Sequence, residues 1–429
     1  MDPAKARWAY LLTSFVMNIM LGSAYSWSVF AVPLQKAPYG VSQLEATLPF
    51  ALALATFAVG MVFAGRFVDR HGPRKMAMLG GALVSLGYIL SYLMGVTGYP
   101  IPTLLLTYGV VMGVGIGFSY NPPIPTATRW FPDRKGLATG FVVMGYGLSP
   151  LFTAPLADFL ILNYGIPNTF LILGVMFLCI LVPLGSLLKF PPPDWKAPEP
   201  KKPAAARRAW VPLAEVETKP MLRTPLFWVA WLLYALGTAA GFMVIGNAKG
   251  IALEGLGFPP GDPRTVPTDL NLLAVAAVQM LAVFNSSGRP IFGRSADSFG
   301  VRRTLIVMYV GMVAAMAVLT LAATSEVVYF GIALTGLVFG AFLAVMPALA
   351  TYFFGQKNLG SNYGFLFTGY GTGAIIATFA MGPIVATYQS YVPAFYVGIV
   401  LSLVGLVLSL FVRSSRRAAA TAEATVAKA

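Results

Sequence analysis

Apolar residues in this chain run on without alternating. Twelve such stretches follow one another, at about 8–34, 45–65, 76–95, 101–124, 137–162, 168–189, 225–248, 270–293, 304–323, 327–350, 362–386 and 391–412. Each is close to the roughly 20 residues that carry a helix across a ~30 Å hydrocarbon core. A barrel would need alternation, and a lone strand would leave its backbone unpaired in lipid, so helices are the only reading. The pattern therefore predicts an all-α, polytopic membrane protein of twelve transmembrane helices. A Pro-rich, basic gap at 190–224 divides six spans from six. It predicts an N-terminal bundle over 1–189, a linker over 190–224, a C-terminal bundle over 225–412 and a tail over 413–429.

Composition agrees. The chain is 57% hydrophobic and 10% charged, with a mean hydropathy of +0.75, whereas a soluble domain carries about a quarter charged residues. The N-terminal MDPAKARWAY leads into an apolar run with no small-residue cleavage site, so it reads as a retained first span. The one cysteine, Cys179, has no partner, and no disulfide framework is expected.

The basic positions set an orientation. Of 29 Lys and Arg, 25 fall in the N-terminal tail, the turns after spans 2, 4, 8 and 10, the linker with Lys189, and the C-terminal tail. Lys36, Lys249 and Arg264 fall on the other side, and Arg289 lies within a span. Since Lys and Arg are held on the cytoplasmic face, both termini and the linker are expected to be cytoplasmic, in a plasma membrane of the bacterial inner-membrane type. The net charge of +14 is then topology and attraction to anionic lipid. No basic face interleaved with aromatics lies outside the spans, so no nucleic-acid partner is expected.

The halves repeat. GRFVDRHGPRK (Gly65 to Lys75) after span 2 and GRSADSFGVRR (Gly293 to Arg303) after span 8 share G-R-x-x-D-x-x-G-x-R-[KR] at an offset of 228. The element GF-x3-GYG recurs at Gly140 to Gly147 and Gly364 to Gly371. Two six-helix halves joined by a linker suit a transporter built from parallel repeats. The G-R-x-x-D loop, present twice in register, resembles the signature loop of the major facilitator superfamily, and that resemblance covers the whole chain. Gly65, Asp69, Arg70, Gly293, Asp297 and Arg302 are expected to form charge-assisted latches that hold one conformation and break in the other. Positive-inside anchoring alone would explain the basic residues, but neither the acids nor the glycines.

Arg289 interrupts the eighth apolar run. Its partner at offset 228 is Met61, so the scaffold itself does not require a cation there. Burial of an Arg in hydrocarbon costs at least ~2.5 kcal/mol unless it lines a cavity or finds a partner. Snorkelling to the basic interface, about two helical turns away, is the bland alternative. Gly288 and Pro290 argue against it, because Pro290 loosens the backbone beside the guanidinium. The spans hold no acid at mid-depth: Glu45, Glu254, Asp262, Asp269 and Glu326 belong to the far side, and Asp158 is near the far end of span 5. Asn285, one turn from Arg289, is neutral, and the only histidine, His71, is in a turn. An intramembrane cation without a protein counter-ion implies an anionic ligand.

At these residues a narrower resemblance appears. N-x-x-x-R-P around Arg289, Y-S-W at Tyr25 to Trp27, YNPPIPTATRWF at Tyr120 to Phe131, and NYGF in span 11 are similar to the oxalate:formate antiporters and the monocarboxylate transporters. The resemblance implies that Arg289 binds substrate carboxylate and that Tyr120 and Tyr146 line the cavity. The oxalate carriers place a lysine in span 11 where this chain has Tyr370; one cation and a phenol suit a monoanion better than a dianion. Phe339 and Leu343 stand where those carriers have bulkier or more polar aromatics. With Tyr25, Tyr370 and Asn285 as polar members and Phe339, Leu343 and Phe367 as apolar walls, the expected substrate is a short monocarboxylate of the lactate or pyruvate type.

A monomer moving a small monocarboxylate anion through the lipid bilayer by alternating access, with protons as co-substrate, is the expectation; substrate exchange is the alternative. Symport needs a proton carrier, and Asn285 stands where other monocarboxylate transporters place an aspartate. A sensor with a transporter fold, or an embedded enzyme, is the reading from another class. The enzyme is disfavoured because no acid, base, nucleophile or metal cluster converges in the spans. GVGIGF (Gly113 to Phe118) and GTGA (Gly371 to Ala374) lie inside spans and follow no strand, so they are helix-packing elements and not nucleotide loops. No metal or other cofactor is expected.

Overall fold

Local sequence sets the helix ends. Ser42 starts span 2 with a capping box: its hydroxyl accepts from the Glu45 backbone N–H at 3.3 Å, and its own N–H donates to Glu45 Oε2 at 2.9 Å. Thr224 caps span 7 by accepting from Phe227 N at 3.2 Å, with Pro225 in the first turn. Gly72 (φ 81°) and Gly300 (φ 85°) turn the chain between spans 2 and 3 and between spans 8 and 9. They sit at the repeat offset of 228 and share a backbone region that only glycine enters readily.

The computed structural model describes residues 3–132, 135–192, 215–262, 264–355 and 358–412. Most of the expected linker and the tail after 412 lie outside the described residues, as do the side chains of Asp69 and Asp297, on which the expected latches depend. Among the described residues, eleven helices are long and apolar enough to cross a membrane. They are Ala6–Leu34, Gln43–Val68, Pro73–Gly95, Pro100–Trp130, Leu137–Leu187, Pro225–Ile245, Thr268–Ala296, Val301–Thr320, Ser325–Phe354, Leu359–Tyr388 and Val392–Phe411. The run 137–187 turns at Gly165 (φ 77°), two residues before Pro167, and so contains spans 5 and 6. The count of spans is twelve, numbered in chain order below.

Span 4 is the least regular. It is π-helical over Leu105–Met112 and breaks at Asn121 and Pro122 before resuming at Pro123–Trp130. Pro122 and Pro123 cannot donate to the helix, so the break follows the sequence.

The two bundles meet along spans 2 and 11 and along spans 5 and 8. Small residues permit the approach: a Cβ at Gly371 would stand 2.9 Å from Ala55 Cα, and one at Gly382 would stand 2.7 Å from Leu44 Cβ. In the other glycine run, Gly117 abuts the span-2 backbone at Phe57 and Gly60. Both runs therefore serve close helix packing. On the face that carries the basic turns, Arg66 Nη2 donates to Ser361 Oγ at 3.3 Å across the bundles. On the opposite face, Lys249 of a short helix, Ala248–Gly255, pairs with Asp158 of span 5 at 2.5 Å. There Gln43 also donates to Asn247, and Tyr391 donates to Gln43 at 3.2 Å. The interface is thus closed at both ends.

Candidate functional site

Arg289 lies on span 8, seven residues before its end at Ala296, and is only 2% exposed. The neighbouring helices come close enough to shut out lipid because Gly288 sits against the Leu337 carbonyl and Gly340 against the Asn285 carbonyl. The helix runs unbroken through Pro290, so the expected local loosening is small. The guanidinium does not snorkel; it reaches across the interface to the N-terminal bundle. Its Nη1 donates to the Val143 carbonyl of span 5, and its Nη2 donates to Asn285 Oδ1 at 3.4 Å. Beside it, Ser286 Oγ donates to the Met144 carbonyl at 3.2 Å.

Three donors in this region are buried without a hydrogen-bond partner: Arg289 Nε, Asn285 Nδ2 and the Tyr146 hydroxyl. None of the ion pairs among the described residues involves Arg289. A buried donor left unpaired costs about 1–3 kcal/mol, more when charged. With Nη1 engaged by Val143 and Nη2 held only by the long 3.4 Å bond to Asn285, the side-on edge of Nε and Nη2 is the part of the guanidinium best placed for a planar two-point acceptor. A carboxylate has that shape.

Around this edge stands a box of rings. Tyr25, Tyr120 and Tyr146 lie within electrostatic reach of the guanidinium. Tyr25 meets Tyr146 edge to face at 4.9 Å, and Tyr120 meets Tyr146 edge to face at 5.2 Å. The Tyr25 and Tyr370 hydroxyls share a hydrogen bond of 2.6 Å between the bundles. Tyr370 stacks on Phe367 at 4.6 Å, and Phe339 approaches Tyr25 at 6.0 Å. Leu343 is buried one turn beyond Phe339 on span 10. The structure therefore gathers Arg289, Asn285, Tyr25, Tyr120, Tyr146, Tyr370, Phe339 and Phe367 at one place.

Other members were not singled out in the sequence. Phe57 of span 2 touches Tyr120, Tyr146, Phe367 and Tyr370, and Phe242 of span 7 touches Tyr25, Phe339 and Tyr370. The repeat contained the signal for Phe57, since at offset 228 it is the partner of Asn285, as Met61 is of Arg289. Tyr146 and Tyr370 are likewise partners at offset 224. Phe242 carried no such signal. The centre is thus pseudo-symmetric in one tyrosine pair, Tyr146 and Tyr370, and asymmetric in its cation.

Of the latch residues, Gly65 lies against the start of span 11, where a Cβ would be 3.5 Å from the Gly360 carbonyl oxygen. Gly293 faces Ala344 of span 10, Arg70 is exposed and Arg302 is half-buried.

Comparison with known proteins agrees with this architecture. The model of the Major Facilitator Superfamily matches residues 11–288 and 267–428. The oxalate:formate antiporter of Oxalobacter formigenes is 29% identical over 410 residues, 95% of this chain and 91% of that protein. Human monocarboxylate transporter 14 is 31% identical over 183 residues, 42% of this chain and 35% of that one. In structure, the Escherichia coli xylose transporter XylE, in a partially occluded inward-open conformation, superposes with a TM-score of 0.66 at 13% identity, covering 96% of this chain and 98% of that chain. With twelve spans in two bundles and a family match along nearly the whole sequence, this chain belongs to the Major Facilitator Superfamily.

Proposed function

We propose that this protein is a secondary transporter of small monocarboxylates of the lactate or pyruvate type, working by alternating access with proton-coupled symport. One observation carries the reading: the side-on edge of the buried Arg289 guanidinium, with Asn285 Nδ2 and the Tyr146 hydroxyl, offers donors that no acid among the described residues pairs. A carboxylate bound there neutralises the cation and pairs the donors together. The names of the oxalate:formate antiporter and the monocarboxylate transporter support carboxylates as the substrate class.

Selectivity for one negative charge follows from Tyr370. Its hydroxyl is joined to Tyr25, and the site has one cation within a ring-lined wall. A dianion would keep an uncompensated charge in a low-dielectric cavity.

In the transport cycle, residues 1–189 and 225–412 are the two bodies that rock about Arg289. The basic face is cytoplasmic, and the opposite face opens to the outside. Arg66 with Ser361 closes the inner end together with the loops that carry Gly65, Asp69, Arg70, Gly293, Asp297 and Arg302. Lys249 with Asp158 closes the outer end. The cation makes the empty site costly to occlude, while the Arg–carboxylate pair occludes without net charge. That difference also suits the second reading, exchange of one carboxylate for another, which needs no return of the empty carrier.

The test is uptake of labelled lactate, pyruvate, formate and oxalate into proteoliposomes, with and without an inward proton gradient. Proton-driven accumulation of lactate in vesicles without internal substrate is expected. Uptake that requires preloaded carboxylate would replace symport by exchange, and transport of none of the four would remove the carboxylate reading.

A further inference from the structure

The outer closure is built on one buried carboxylate. Asp158 of span 5 and Lys249 are each only 4% exposed. The Asp158 carboxylate accepts from Lys249 Nζ at 2.5 Å on Oδ1 and from Asn271 Nδ2 at 2.7 Å on Oδ2. Asp158 comes from the N-terminal bundle; both donors come from the C-terminal bundle. A buried carboxylate is thus gripped at two points by a cation and an asparagine amide.

That is also the donor set at the centre, where Arg289 and Asn285 stand together. The two places are linked by one helix face. Asn271 and Arg289 both lie on the helix Thr268–Phe299, 18 residues apart, which is about five full turns and about 27 Å along the axis. Asn271 and Arg289 therefore lie on the same side of span 8.

The rim carries more acids than bases (Glu45, Asp158, Glu254, Asp262, Asp269 and Glu326), but its few cations are grouped. Lys36, Lys249 and Arg264 are the only basic residues of the chain expected on this face, and they converge: Lys36 Nζ donates to the Arg264 carbonyl at 3.1 Å, and Lys36 lies within electrostatic reach of Lys249. Arg264 is already engaged, because its side chain hydrogen-bonds Asp262 and holds that carboxyl down at about 2. The cations left for a ligand are Lys36 at the surface and Lys249 beneath it.

Opening this face must pull Asp158 away from Lys249 and Asn271, since they belong to different bundles. We infer that Lys249 and Asn271 form an entry site for a small carboxylate, held by the chain's own Asp158 when the outer face is closed and offered to substrate when it opens. Asp158 is then a built-in competitor. It occupies the entry donors in the closed state, and its return on closure displaces a carboxylate from them toward Arg289 or back to the outside. The inference rests on the carboxylate reading of Arg289 and adds a second, outer site to it.

The test uses the full-length protein in right-side-out vesicles preloaded with unlabelled lactate, so that symport and exchange both support flux. Initial rates of labelled lactate uptake give KM on the outer side. Asp158→Asn removes the competitor, and KM should fall about three- to tenfold; Lys249→Gln removes the cation, and KM should rise by a similar factor. A simple gate loses the same ion pair in both variants, so KM values that move in the same direction overturn the entry site. Should either single variant fail to insert, Asp158→Asn with Lys249→Gln leaves a neutral amide pair: a raised KM supports the site, and a KM equal to that of the wild type overturns it. Absence of saturable lactate uptake by the wild type would instead count against the proposed function, which separates the two failures.

Discussion

Gly147 lies directly against the Arg289 guanidinium: a Cβ built at Gly147 would stand 2.9 Å from Arg289 Nη2 and 3.0 Å from Ser286 Oγ. The glycine leaves room for a span-8 cation to dock on span 5 and donate to the Val143 carbonyl. Gly147→Ala should therefore push the guanidinium off its seat, a steric strain of about 1–3 kcal/mol. The expected result is a protein that inserts normally and shows lactate KM raised about tenfold, the kinetic equivalent of ~1.4 kcal/mol. Initial-rate uptake in proteoliposomes checks this, and an unchanged KM would mean that the Arg289 position is not set by span 5.

Selectivity gives a second test. Tyr370→Lys places a second cation opposite Arg289, where Tyr370 now bonds Tyr25. Two cations favour a dianion, so competition by oxalate against labelled lactate should strengthen while lactate affinity falls. Oxalate competition that stays at the wild-type level in a well-inserted variant would show that residue 370 does not reach the substrate.

The repeat supplies a stability test. Gly72 and Gly300 hold φ 81° and ψ 173°, and φ 85° and ψ 153°, in a region essentially restricted to glycine. Gly72→Ala and Gly300→Ala should each cost about 1–3 kcal/mol and lower the thermal unfolding midpoint of the detergent-solubilised protein. Because the turns are equivalent in the two halves, the two losses should be similar in size. A midpoint unchanged in both would show that these turns relax without strain.

Much of this was legible in the sequence, for reasons that differ from residue to residue. The spans were readable because lipid demands continuous apolar helices, and the gap read between 137–162 and 168–189 is where the chain turns at Gly165. Arg289 was readable because its cost in hydrocarbon makes it conspicuous and the repeat partner Met61 shows the scaffold does without it. The tyrosines were harder: nineteen are present, and only three-dimensional packing separates Tyr25, Tyr120, Tyr146 and Tyr370 from those that merely fill space. Phe242 was invisible, since one phenylalanine in an apolar span looks like any other. Lys249 and Asp158 were each placed at the far side by position, but their pairing across 91 residues depends on how the short helix Ala248–Gly255 comes against span 5.

The most direct test of the account is the contribution of the Arg289 charge to substrate handling. Labelled lactate uptake is measured for wild-type protein, Arg289→Ala and Arg289→Lys in proteoliposomes matched for the amount of inserted protein. The account predicts saturable uptake by the wild type, none above background for Arg289→Ala, and little for Arg289→Lys, whose ammonium cannot make the planar two-point contact. Near-normal uptake by Arg289→Ala would contradict it, because the buried guanidinium would then serve the fold and not the carboxylate.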